Sequence, residues 1–410
     1  MDSSPGSVDD PMTQENPYEK QVTPDELKPG MFVSRLDRPW IETPFLLQGF
    51  EIRGIADVEQ VRRLCRYVFI DVERGNDITP SRLDTRPLSK GATTLTQSQE
   101  ELPRARKALE RTSLELTGVL RQAERGRRVR LDRLESRIVS LVDSTLRSTD
   151  ASLLLARLRR KDDYAYNHAL CVSVFGVALG KQLGLERSEL EQLALCASLF
   201  DIGKTRISDE LLQKLEPITS EERQELQRHV DYGVEILKQS GADTSVISVA
   251  SDHHERCDGT GYPKGLTEPD LSLFAQIVGL VDTYDAMMSD RGYRAANSHE
   301  KTVNTLYQER HKAFNAELLE QFIHCLGTYP VGSLVELSSG DVGIVIQQNG
   351  LRRLRPQVML VRDADGQPIE HYPVVNLLTE TTEETGEPVA ITRTLECGAF
   401  GIDPTDYFLQ

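Results

Sequence analysis

Residues 253–266 read HHERCDGTGYPKGL, a pair of histidines followed by a loop that carries three glycines and a proline. Glycine and proline interrupt regular secondary structure, so the loop marks a break within the surrounding chain. On either side, over residues 161–328, apolar side chains recur with helical spacing, and Gly184, Gly203 and Gly241 supply the other interruptions. The stretch therefore predicts a mainly helical domain with two imidazoles beside a loop.

Further metal-ligand side chains occupy apolar helical stripes, or their edges, in this section. His168 shares a face with Val172 and Phe175, so its imidazole points inward. Asp282 lies in the run FAQIVGLVDTYDAMM, and a buried carboxylate needs a partner or a bound cation. Each residue alone is explained by core hydrogen bonds, but the set favours a metal site: His168, Asp201, His229, His253, His254 and Asp282. Such mixed ligation suits iron, manganese, nickel or zinc.

The chain is long enough for two or three domains. Short strand-like runs with one helical run precede the helical section, and alternating runs with turn signals at Ser339-Gly340 and Asp365-Gly366 follow it. The expected divisions are a disordered tail over 1–21, a small mixed α/β domain over 22–75 that contains Trp40, a linker over 76–98, a helical connector over 99–160, the helical domain over 161–328 and a small β-rich region over 329–410.

Composition limits the partners and the compartment. The net charge of −16 argues against binding to a nucleic acid polymer, and no apolar run is long enough to span a membrane. The cysteines are scattered and the amino terminus lacks a secretory signal, so we expect a cytoplasmic protein. Any anionic ligand must therefore be met by local cations.

Three motifs resemble the HD-GYP proteins, a branch of the HD phosphohydrolase superfamily. They are FDIGK at 200–204, HHERCDGTGYPKGL at 253–266 and VDTYDAMMSDRGYR at 281–294. The resemblance covers residues 161–328, and the flanks look like the uncharacterised amino-terminal domain and the carboxy-terminal region found in proteobacterial members. It implies hydrolysis of the second messenger cyclic di-GMP at a centre with two or three metal ions.

The resemblance also implies roles for single residues. His168, Asp201, His229, His253, His254 and Asp282 fall at the family's ligand positions for divalent ions, with Fe or Mn expected and up to two per chain. Asp201 would bridge the two ions, and Lys204 falls where the family's lysine approaches the reacting phosphate. Tyr262, Arg291 and Arg294 fall at positions expected to hold the dinucleotide.

This sequence departs from the family at the residue that gives the HD motif its name. Phe200 replaces that histidine, which leaves the ion at His168, Asp201 and Asp282 with three protein ligands. Tyr164 stands where members with a third ion carry glutamate, so a trinuclear centre is not expected. We therefore expect a phosphodiesterase of weakened activity.

Two alternatives stay open. A domain that has lost catalysis could act as a cyclic di-GMP receptor, or as a scaffold for other signalling proteins. Another HD-type nucleotide phosphohydrolase is the third hypothesis, although such an enzyme would not need the GYP string. The helical segment 99–160 is also compatible with a homodimer.

Overall fold

The computed structural model describes residues 19–37, 50–52, 54–71, 97–158, 164–214, 216–289, 297–349, 352, 354–381, 388–396 and 398–408. The chain divides into two compact units, residues 1–90 and 91–410. Trp40, and all of the expected linker except its last two residues, lie outside the described part. Among the described helices, none is long and apolar enough to cross a bilayer.

The first unit is the expected small α/β domain. Its elements are β1 (Glu19–Val22), β2 (Phe32–Leu36), β3 (Phe50–Glu51), α1 (Ile55–Leu64) and β4 (Val68–Asp71). The strands form an antiparallel sheet in the order β1-β4-β2-β3. Its core holds Met31, Val33 and Ile70. The expected tail extends three residues too far, because β1 already pairs along β4.

The second unit contains the remaining helices. They are α2 (Gln97–Glu124), α3 (Asp132–Arg147), α4 (Thr149–Arg157), α5 (Tyr164–Gln182), α6 (Arg187–Leu199), α7 (Asp209–Leu212), α8 (Ser220–Gln227), α9 (His229–Ser240), α10 (Thr244–Asp252), α11 (Leu273–Met288), α12 (His299–Gln308), α13 (Ala316–Leu326) and α14 (Thr405–Phe408). A 3₁₀ helix, Ile202–Arg206, follows α6. The fold is mainly α, as predicted.

Helix α5 lies at the centre of this unit because its sequence is apolar on every side. Val172, Val174 and Val177 are all fully buried, and α4, α6, α11 and α13 pack around them. Helices α2 and α3 join the same core through Leu116 and Leu134. The segment predicted as a connector therefore shares the core of the helical domain, and it also forms a small cluster of its own with Ala105, Ala151 and Leu155.

The carboxy-terminal strands form an antiparallel sheet. They are β5 (Leu334–Leu337), β6 (Val342–Gln347), β7 (Gln357–Arg362), β8 (Val374–Asn376) and β9 (Ile391–Leu395), in the order β8-β7-β6-β5-β9. Both predicted turns are present, and each uses a glycine at positive φ, Gly340 at 90° and Gly366 at 77°. The backbone N–H of Gln348 donates to the Asp150 carboxylate at 3.0 Å, which ties the sheet to α4.

Candidate metal centre

Five segments of the helical unit bring the predicted ligands together. His168 lies on α5, Asp201 precedes the 3₁₀ helix, His229 begins α9, His253 and His254 follow α10, and Asp282 lies on α11. Their ligand atoms form two groups that share Asp201, each with its atoms within 4.8 Å of one another. One group, which we call the four-ligand cluster, contains Asp201, His229, His253 and His254; the other contains His168, Asp201 and Asp282.

In the four-ligand cluster, three buried ligand atoms lie close together but form no hydrogen bonds with one another. Asp201 Oδ1 lies 3.4 Å from His229 Nε2 and 3.7 Å from His253 Nε2. Within the described part of the chain, these three atoms are buried and make no hydrogen bond. Unpaired buried polar atoms are costly, and one divalent cation would satisfy all three. The residues present therefore fit a metal ion.

The opposite edges of two imidazoles are fixed by main-chain carbonyl groups. His229 Nδ1 lies 2.6 Å from the carbonyl oxygen of Leu226, and His253 Nδ1 lies 3.1 Å from those of Val249 and Ala250. Because a carbonyl oxygen only accepts, each Nδ1 carries the proton and donates it. Each Nε2 is left as a lone pair aimed at Asp201, the form that binds metal.

Two glycines let the backbone approach close enough to place these histidines. A Cβ on Gly203 would lie 1.8 Å from the carbonyl oxygen of His229. A Cβ on Gly279 would lie 2.4 Å from the carbonyl oxygen of His253. Any side chain at either position would push a ligand-bearing segment away from Asp201.

The other group is already hydrogen-bonded internally. The buried imidazole of His168 has Nε2 at 2.8 Å from Asp282 Oδ1 and Nδ1 at 2.6 Å from Asp285 Oδ2. We call these three residues the His168 clamp. Asp285 was not among the predicted site residues, although a signal was present: it follows Asp282 by three residues on α11, which places both carboxylates on one helix face.

Phe200 lies close to one imidazole of each group. Its side chain is fully buried, and its ring meets the imidazole of His253 edge-on at a centroid distance of 4.9 Å. The centroid of the His168 imidazole lies 5.8 Å from that of the Phe200 ring. A buried apolar ring thus lies next to ligand-type imidazoles of both groups.

The two groups differ in electrostatics. In the four-ligand cluster, burial lowers the pKa of His229 to about 4. Burial opposes ionisation of Asp201, but Lys204, His253 and His229 together hold the pKa of that carboxyl well below its usual range. In the clamp, burial opposes a charge on His168, yet the hydrogen bonds that the imidazole donates to the carboxylates of Asp282 and Asp285 outweigh it and raise the pKa of His168.

Lys204 and the GYP loop lie beside the four-ligand cluster. Lys204 forms an ion pair with Asp201, and the ring of Tyr262 stacks on His254 at 4.7 Å. Backbone N–H groups of Lys264 and Leu266 donate to the buried Glu255 carboxylate at 2.7 and 3.0 Å, which holds the loop. The predicted ligand contacts Arg291 and Arg294 lie outside the described residues.

Comparison with known proteins agrees with this arrangement. An HD domain matches residues 136–318, a domain of unknown function, DUF3391, matches 19–134, and a KOW domain associated with HD domains matches 334–383. A Pseudomonas aeruginosa protein named cyclic di-GMP phosphodiesterase PA4108 is 31% identical over 349 residues, 83% of this chain and 84% of its own. The chain belongs to the HD-GYP branch of the HD-domain family. The predicted family is confirmed.

Other relatives match this HD-GYP protein over a smaller part of its length. Cyclic di-GMP phosphodiesterase PdeB of Borreliella burgdorferi is 27% identical, covering 45% of this chain and 48% of its own. The response regulator RpfG of Xanthomonas campestris, also named a cyclic di-GMP phosphodiesterase, is 35% identical over 35% of this chain and 39% of its own. A solved HD-GYP-type structure, Bd1817 of Bdellovibrio bacteriovorus, matches with a TM-score of 0.46 at 18% identity, covering 74% of this chain and 98% of that one.

Proposed function

We propose that this HD-GYP protein is a metal-dependent phosphodiesterase that hydrolyses cyclic di-GMP. The observation that carries the proposal is the set of buried, unpartnered ligand atoms on Asp201, His229 and His253, with a lysine beside it. Support comes from the relatives, since the Pseudomonas aeruginosa protein that matches most of this chain is named for that activity.

The proposed roles in metal binding follow the two groups. Asp201, His229, His253 and His254 would hold one divalent ion, Fe or Mn; His168, Asp201 and Asp282 lie close enough to take a second ion only if the contact between His168 Nε2 and Asp282 is broken. When bound, a divalent ion supplies Lewis acidity and lowers the pKa of water. Leu226, Val249 and Ala250 contribute by holding the imidazoles in the form that binds metal.

The proposed roles in substrate binding belong to residues next to the four-ligand cluster. Lys204 is a local cation that would compensate charge on the phosphodiester. Tyr262 presents a half-buried ring that would contact the dinucleotide, and its stack on His254 fixes the orientation of that ligand. Arg291 and Arg294 are proposed as further phosphate contacts, because an acidic protein needs local cations to receive a dianion.

The test is turnover of cyclic di-GMP by anaerobically purified full-length protein supplied with Mn²⁺ or Fe²⁺. We expect hydrolysis that Asp201→Ala abolishes. The matched control is Asp231→Ala, an exposed aspartate on α9, which should retain full turnover. No hydrolysis by the metal-loaded wild-type protein would contradict the proposal.

The alternatives predict different results in the same assay. A cyclic di-GMP receptor would bind the messenger with micromolar or better affinity and release no product, with or without metal. A different HD-type nucleotide phosphohydrolase would turn over other substrates, and relatives in Vibrio cholerae are named 3'3'-cGAMP-specific phosphodiesterases. Cyclic GMP-AMP should therefore be tested beside cyclic di-GMP.

Location and assembly remain proposals. We propose a cytoplasmic protein, because its cysteines are scattered through the sequence, as is usual in a reducing compartment. Binding of other signalling proteins and formation of a homodimer through the segment 99–160 are also proposed. Gel filtration with light scattering would decide the oligomeric state.

A further inference from the structure

We infer that the metal centre of this HD-GYP protein is mononuclear: the four-ligand cluster takes one ion, and the His168 clamp is a metal-free structural element. The inference deepens the proposed function and rests on its assignment of a metal to Asp201, His229, His253 and His254. It concerns the number of ions, not the substrate.

The first observation is where the unpartnered atoms lie. All three unpartnered atoms at the centre, Asp201 Oδ1, His229 Nε2 and His253 Nε2, belong to the four-ligand cluster. Within the described residues, His168 and Asp282 contribute no such atom. Both ring nitrogens of His168 and one oxygen of each carboxylate are therefore hydrogen-bonded without a cation.

The second observation is that both nitrogens of His168 are already engaged. In a metal site, an imidazole gives one nitrogen to the ion and the other to a supporting carboxylate or carbonyl. Asp285 occupies the supporting position on Nδ1, as expected for such a site, but Nε2 lies 2.8 Å from Asp282 Oδ1. An ion would have to break that contact between two buried groups and then replace it.

The third observation is Phe200. Distance alone permits an ion, because the atoms of His168, Asp201 and Asp282 lie within 4.8 Å of one another. However, Asp201 is shared with the other cluster and is paired with Lys204, which leaves two ligands of its own to a second ion. The fully buried Phe200 ring supplies no ligand at the position where the resemblance places a histidine.

The clamp therefore has a positioning role. His168 on α5 is joined to Asp282 and Asp285 on α11, so the clamp fixes these two central helices against each other. Asp285 acts through His168 and not on substrate or metal.

The experiment counts ions on the full-length protein. Metal-free protein is loaded with Mn²⁺ and desalted, and bound manganese is measured by elemental analysis and low-temperature electron paramagnetic resonance. We expect one ion per chain with the signal of an isolated Mn²⁺. Two ions per chain, an exchange-coupled signal, or no bound ion would each overturn the inference.

Two variants keep the test decisive. Phe200→His restores a ligand beside Asp201 and should raise the count to two, with an exchange-coupled signal. Asp282→Asn keeps the shape of the clamp, and should leave the count at one and the Mn²⁺ affinity within threefold of wild type. A drop of tenfold or more in Asp282→Asn would show that this carboxylate binds metal, which contradicts the inference even if Phe200→His does not fold.

Turnover measured on the same samples separates the two proposals. One ion per chain without hydrolysis of cyclic di-GMP would support the mononuclear centre and contradict the phosphodiesterase. Hydrolysis with two ions per chain would support the phosphodiesterase and contradict the mononuclear centre.

Discussion

The four-ligand cluster and the His168 clamp are built from the same residue types but in opposite states. In the cluster, main-chain carbonyl groups hold the imidazoles from behind, and the donor atoms on Asp201, His229 and His253 remain unpartnered. In the clamp, carboxylates hold the imidazole on both sides, so both of its ring nitrogens already have a partner. Residue type shows what could bind a metal, whereas the hydrogen bonds already made decide what does.

The largest effect should be the difference in Mn²⁺ affinity between a variant that lacks an imidazole of the four-ligand cluster and one that lacks the imidazole of the clamp. His253→Gln deletes an unpartnered ligand atom, so Mn²⁺ affinity should fall by at least about 100-fold and turnover should be lost. His168→Gln should leave Mn²⁺ affinity within threefold of wild type, because its partners are carboxylates. Isothermal titration of metal-free protein measures both. Equal losses in the two variants would remove the distinction between cluster and clamp.

A second prediction concerns the backbone that places the cluster. In Gly203→Ala, the new Cβ meets the carbonyl oxygen of His229 at 1.8 Å, and backbone cannot move as a flexible side chain can. We expect a loss of about 3 kcal/mol in the free energy of unfolding, together with weaker Mn²⁺ binding. Gly118→Ala on α2 is the control, since nothing lies within 4 Å of its Cβ and the helix should gain up to about 1 kcal/mol. Urea unfolding that ranks the two variants equally would contradict this.

The third prediction concerns pH. In metal-free protein, acidification should lower the contribution of His229 in the cluster to the free energy of unfolding and raise that of His168 in the clamp. The pKa of His229 falls from 6.5 unfolded to about 4 folded, so the unfolded chain binds more protons as the pH drops. This histidine should remove about 2 kcal/mol of stability between pH 8 and pH 5. The pKa of His168 is raised, so its contribution is fully present below pH 6.5 and is lost as the pH rises through the folded value.

The measurement is the free energy of unfolding against pH, with chelator present, for wild type and two variants. In His229→Gln, the free energy of unfolding that is lost on acidification should be smaller than in wild type by about 2 kcal/mol. In His168→Gln, that loss should be larger than in wild type, since the variant lacks the imidazole that stabilises the fold at low pH. The same slope in both variants would mean that the two imidazoles share one environment.

The fold was predictable where one physical signal dominated. The helical spacing of apolar side chains over residues 161–328 indicated a mainly helical domain, and glycines at 340 and 366 indicated the turns of the carboxy-terminal sheet. The extent of each core was not predictable, because α2 and α3 look like a separate amphipathic connector until Leu116 and Leu134 meet the central helices. Likewise, β1 begins within a polar stretch whose strand forms only through its pairing with β4.

At the site, the sequence identified which side chains converge but not what each one contacts. His168 and His253 look alike as inward imidazoles, and only their partners in space separate them. Asp285 was missed because a carboxylate that supports an imidazole has the same helical spacing as one that is simply buried. The roles assigned to Lys204 and Tyr262 stay predictions.

The smallest effect tests the edge of the four-ligand cluster. Tyr262→Phe keeps the ring that stacks on His254 at 4.7 Å and removes only the hydroxyl, whose pKa is raised by burial and by the nearby carboxylates of Asp201 and Asp282. A neutral hydroxyl contributes about one ordinary hydrogen bond, so kcat/KM for cyclic di-GMP should fall only about 2- to 5-fold. Tyr262→Ala removes the stack and should cost about 30-fold, roughly 2 kcal/mol. If the phenylalanine variant lost as much as the alanine variant, the hydroxyl would be the essential contact of Tyr262, and the function of the cluster, unlike the geometry of the clamp, would depend on a hydroxyl group.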